Sequence, residues 1–128
     1  MNLEKFISEM LSMHVTARLW HWSTNSAQDH VTFEQFSNEN EVYADSFVEA
    51  ALGNDIKLSL SKIGVTNAIV ENYSIESARQ KIQKYRSEVA EVKAFLSNGE
   101  RPGGDELVTI LDDVTVLCSK TLYLLKLN

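Results

Sequence analysis

Proline occurs once and glycine five times in 128 residues, and there is a single cysteine. So few chain breakers exclude a turn-rich β sandwich and make an all-helical chain the expectation. Cys118 alone cannot close an intrachain disulfide or supply the thiols of a zinc ribbon. No apolar run approaches the roughly 18 residues that a membrane span needs. Glu4, Lys5 and Glu9 interrupt the first ten residues, which do not read as a secretory signal, so a reducing, cytoplasmic setting is expected. Positive charge is also scarce. Twelve Lys and Arg against eighteen Asp and Glu leave a net charge of −6, which disfavours broad binding to nucleic acid or anionic membrane. Neither a Ser-His-Asp pattern nor a phosphate loop nor a nucleotide fingerprint is present.

What is present is ordinary globular usage, 44% hydrophobic and 23% charged, at a length that suits one domain over residues 1–128. Apolar periodicity predicts four helices. Leu3, Ile7, Met10, His14, Ala17 and His21 form a 3-4 stripe, and Phe6, Met13 and Trp20 form a second seam. A helix apolar on two seams is expected to meet both its own bundle and a partner chain. Trp20 and Trp22 read as packing residues at its end. Helix two is predicted from about Ala27 to Leu52, capped by Ser26 or Asp29, with Phe33, Phe36, Tyr43, Phe47 and Ala51 inward. Helix three follows Ser74 with Ile75, Ala78, Ile82, Tyr85, Val89, Val92 and Leu96 inward. Helix four is expected to be capped by Asp105, with Leu107, Leu111, Val114, Cys118, Thr121 and Leu125 inward.

Short loops make helices one and two antiparallel neighbours, and three and four likewise. The stretch from Asn54 to Tyr73 is long enough to travel the bundle, and Ile56, Leu58, Leu60, Ile63 and Val65 would hold it to the surface. The expected fold is therefore all-α, a ferritin-like four-helix bundle with a long crossover between helices two and three.

At about 100° per residue, His30, Glu34, Glu41, Asp45 and Glu49 share one arc of helix two. A solvated acidic face would normally carry Lys or Arg at i, i+4, yet none occurs from Leu19 to Ile56. Imidazole with carboxylate suits Fe(II), Mn(II) or Zn(II). Asp45 lies roughly 22 Å along the axis from His30, so one chain cannot bring both ends to one ion. Two copies related by a two-fold can, if their helix pairs run antiparallel across the interface.

The run His21-Trp22-Ser23, the pair His30-x-x-x-Glu34 and the pair Asp45-x-x-x-Glu49 resemble the DNA-protection-during-starvation (Dps) branch of the ferritin-like proteins. The helix layout resembles that family over nearly the whole chain, and the motifs over residues 15–53. The resemblance implies an intersubunit ferroxidase site that binds Fe(II) and oxidises it to Fe(III) with peroxide or dioxygen. It implies that His21, His30 and Glu34 come from one subunit, and Asp45 and Glu49 from its two-fold mate. It also implies a homo-oligomer, from a dimer to a twelve-subunit shell. Glu34 stands where Asp is usual, the His21 to His30 interval is shorter than usual, and no Lys-rich DNA-binding tail is present. The other ferritin-like arrangement, a di-iron centre from two Glu-x-x-His motifs, is disfavoured because this sequence contains no Glu-x-x-His.

Elsewhere the plainer readings apply. His14 is expected as an interface or hydrogen-bonded core histidine, with a metal or iron-entry residue as the alternative, and Cys118 as a buried inert thiol. Arg79, Lys81, Lys84, Arg86 and Lys93, interleaved with Glu88 and Glu91, read as a solvated face. The competing function is a metal-free ferritin-like bundle serving as a structural or protein-interaction subunit.

Overall fold

A computed structural model describes residues 1–99 and 101–127. Four helices, α1 (Leu3–Ser23), α2 (Ala27–Gly53), α3 (Ile75–Asn98) and α4 (Gly104–Lys126), pack as a bundle, with a single 3-10 turn at Leu60–Lys62 and no strand among the described residues. Local chemistry sets the helix ends. Asn2 accepts the Lys5 N–H at the start of α1, and Ser26 accepts the Asp29 N–H at the start of α2, each satisfying a donor that the first turn leaves orphaned. Ser74 and Ser77 form a reciprocal capping box on α3. The start of α4 differs from expectation. Gly103, at φ 76°, is the cap, and Asp105 lies inside the first turn, where its charge complements the helix dipole.

Direct contacts give the directions of the helices. His21 meets His30, Ser37 meets His14 and Asn40 meets Met10, so α1 and α2 are antiparallel. Arg79 reaches the Leu122 carbonyl, Arg86 reaches Ser119 and Lys93 pairs with Asp112 at 3.2 Å, so α3 and α4 are antiparallel as well. These contacts tie part of the basic face of α3 to α4. Residues 54–74 then climb α1. The Ser59 N–H donates to Glu4, Gly64 to the Ser8 hydroxyl and Thr66 to the Ser12 hydroxyl. Tyr73 arrives edge-on to Phe33, with ring centroids 6.1 Å apart. Ile56, Leu58 and Ile63 pack against the core as expected, whereas Leu60 and Val65 remain exposed.

Apart from the half-buried His14, both seams of α1 are buried within this one chain. They lie close enough in angle to form a single broad core face. Trp22 faces the other way and is 70% exposed, contrary to its expected packing role. It lies two residues, about 200°, from the buried Trp20. The inward stripes of α3 and α4 are buried as patterned, apart from the half-buried Ile75. At mid-bundle Asn40 donates to the Met10 carbonyl at 2.8 Å and accepts from the Tyr85 hydroxyl at 2.6 Å. Among the described residues, no helix is long and apolar enough to cross a membrane.

Candidate metal centre

Only Thr24, Asn25 and Ser26 separate α1 from α2. That tight turn lays the His21 and His30 rings against each other, with centroids 3.6 Å apart and planes inclined by 21°. His21 Nδ1 lies 2.7 Å from the His30 carbonyl, and His30 Nδ1 lies 2.8 Å from the His21 carbonyl. A carbonyl only accepts, so each Nδ1 carries the proton and each neutral ring keeps its lone pair on Nε2. The His21 carbonyl belongs to the last turn of α1, where helical partners run out, so the His30 ring also caps that helix. A histidine whose Nδ1–H is held by a carbonyl is oriented and made more basic for metal binding through Nε2.

Asp45 and Glu49 occupy the other end of the same arc, one turn apart and exposed. A hydrogen bond with Asp45, then the negative charge of Asp45, push the Glu49 carboxyl above its ordinary range. Two carboxylates that repel one another this way gain from a cation between them. Glu34, half-buried, lies one turn along α2 from His30. No three His, Cys, Asp or Glu side chains come together as a metal-holding group among the described residues. Within one chain, then, Glu34 does not complete a trio with the two histidines, and the Asp45–Glu49 pair stands apart from them.

Between the two ends lies a cluster whose connections periodicity did not reveal. His14 Nδ1 is 2.8 Å from the Ser37 carbonyl, and the Ser37 hydroxyl donates back to the His14 carbonyl at 2.9 Å. Glu41 Oε2 lies 3.4 Å from His14 Nε2. The expectation of a hydrogen-bonded His14 holds. Alongside runs a groove of about 580 Å³ whose lining includes Ile7, Leu11, Val42, Val48 and Ile63, with Glu41 and Asp45 at its polar edge. Val31 and Val42 of α2 are also exposed.

Cys118 is buried, and burial pushes its thiol up to about 12, so it is no nucleophile. No family model matches the chain, and no curated protein or solved structure is detectably similar to it.

Proposed function

We propose that this chain is a Dps-like miniferritin of the ferritin-like fold, a ferroxidase that takes Fe(II) as its substrate at sites shared by two copies. His21, His30 and Glu34 of one copy face Asp45 and Glu49 of the other, and peroxide or dioxygen accepts the electrons. Zn(II) and Mn(II) are chemically plausible alternatives to iron for the same donors. The observation that carries this reading is the reciprocal clasp of His21 and His30. It holds both Nδ1 protons on carbonyls and leaves Nε2 as the lone-pair nitrogen of each stacked ring.

The path of residues 54–74 along α1 supports the crossover topology, because it returns the chain to the end where α2 began. The groove beside Asp45 supports a homo-oligomer. An antiparallel partner would bring its own Val31 region to that level of α2 and cover apolar surface left open in one chain.

The test is anaerobic Fe(II) addition followed by oxygen, read as ferric absorbance, together with the oligomeric mass. Absorbance should appear in the unaltered protein and disappear in both His21→Ala and Asp45→Ala. Mixing those two variants should restore about a quarter of the signal. Random exchange makes half the dimers mixed, and each mixed dimer regains one of its two sites. A monomer with and without Fe(II), or no recovery on mixing, sinks the shared site.

A metal-free interaction subunit is the second reading, favoured by the exposed Trp22, Val31 and Val42. A stable dimer that takes up no iron would select it.

A further inference from the structure

We infer that His14 and Glu41 of two copies of this chain together hold one Zn(II)-class divalent ion on the two-fold axis, separate from the iron sites. The inference rests on the shared-site reading above, because that reading places the axis. If the level of His30 faces the partner's Asp45 and Glu49, the two-fold crosses α2 midway, near position 38 or 39. The contacts of His14 with Ser37 and Glu41 put it at that level. Helical geometry supplies the second coordinate. Glu41 lies within about 20° of His30 around α2, and His14 within about 20° of His21 around α1. Both side chains therefore lie on the face that carries the two histidines, and the symmetry axis doubles them.

The local chemistry is that of a ligand pair. The Ser37 carbonyl takes the Nδ1 proton of His14, and the Ser37 hydroxyl bonds back to the same residue. The ring is thus fixed, with Nε2, the nitrogen left to ligate, turned toward Glu41. The Nε2 to Oε2 distance of 3.4 Å is long for a charge-assisted hydrogen bond, which prefers about 2.7–2.9 Å. It matches the edge of a tetrahedron around zinc, about 3.4 Å for bonds of about 2.0–2.1 Å. Two such pairs make a closed set of two nitrogens and two oxygens, the donor number of a structural zinc site. The ion would also offset the approach of two Glu41 carboxylates in a stretch that has no Lys or Arg from 19 to 56. Arg18, one turn further along α1, is turned to the Asn38 side-chain oxygen.

The test uses the full chain carrying Asp45→Asn and Glu49→Gln, exposed changes that disable the iron sites without touching the core. Co(II) is added as a visible probe of tetrahedral coordination, and native mass spectrometry counts the ions. The expected result is a tetrahedral Co(II) spectrum at one ion per two chains, displaced by Zn(II) and lost on adding either His14→Gln or Glu41→Gln. Zn(II) should also tighten the dimer by at least about tenfold, and by less than about twofold after Glu41→Gln. Glu41 is exposed, so that variant keeps its fold and isolates the ligand. A dimer that takes up no tetrahedral Co(II), its Glu41 pairing with the partner's Arg18 instead, overturns this site and leaves the iron reading standing. So does a spectrum that survives both substitutions. A chain monomeric under every condition overturns the two together.

Discussion

The Tyr85 hydroxyl donates to Asn40 Oδ1 at 2.6 Å, and the Asn40 amide donates on to the Met10 carbonyl, so one buried chain of hydrogen bonds joins α3, α2 and α1. Both side chains are essentially inaccessible to water. Burial holds the Tyr85 phenol well above its ordinary range and therefore neutral. Removing one partner strands the other without solvent. Asn40→Ala should cost about 2–4 kcal/mol and Tyr85→Phe about 1–3 kcal/mol. The double change Asn40→Ala with Tyr85→Phe should cost less than the two single changes summed. Urea midpoints at constant m-value check this, and strict additivity would show that the two residues are not coupled.

The clasp at the α1–α2 turn makes a spectroscopic prediction. In neutral His21 and His30 the proton should reside on Nδ1, the minor tautomer of free imidazole, because each Nδ1 faces a carbonyl. Long-range ¹⁵N-¹H correlation spectra distinguish the tautomers directly. An Nε2–H pattern in either ring would remove the basis for treating that ring as a preoriented ligand.

Glu49 predicts a pH dependence of definite sign. Its folded-state value is raised by Asp45, so the folded chain holds that proton more tightly than the unfolded one. The resulting contribution to stability is present below the ordinary carboxyl value of 4.5 and is lost as pH rises through the raised value. Asp45→Asn should bring the Glu49 titration, followed by side-chain carboxyl NMR, back toward the ordinary range. An unchanged midpoint would show that Asp45 is not the cause.

Cys118 should be chemically silent until the bundle opens. With its thiol pushed up from 9.0 to about 12, only about one molecule in 10⁴ carries thiolate at pH 8. Alkylation at pH 8 should be at least about 10³-fold slower in buffer than in urea, with a rate that tracks global stability. The same raised value means a contribution to stability that is complete below pH 9 and declines from there toward pH 12. Cys118→Ala should flatten that decline.

Gly103 has two reasons to be glycine. Its φ is 76°, and a Cβ there would lie 2.3 Å from Asn54 Cγ. Asn54 is not free to move aside, since its amide donates to the Ala50 carbonyl and to Glu106. Gly103→Ala should therefore destabilise by about 1–3 kcal/mol, while Gly53→Ala, with open space around the added carbon, should cost less than 1 kcal/mol. Thermal melts of the two variants make the comparison.

Much of this was legible from residue order alone. Helix number, helix limits to within a residue or two, and nearly every inward residue of α3 and α4 follow from an i, i+3, i+4 repeat, because that repeat is a property of one helix by itself. Ser26, one of two capping candidates for α2, was legible for the same local reason. The charge asymmetry was legible too, since the seven acids from 19 to 56 meet no base and the rest of the chain carries +1. Asn40 left a faint mark as the polar residue between Phe36 and Tyr43 on an apolar stripe, and its partner Tyr85 on another helix left none. The outward turn of Trp22 follows from its offset of about 200° from Trp20, whereas the His14–Ser37–Glu41 cluster and the stacking of His21 on His30 depend on how far each helix is rotated about its axis when it docks. That rotation is a compromise among all the side chains packed between helices, so it was decided in the tertiary structure and written in no single segment of the sequence.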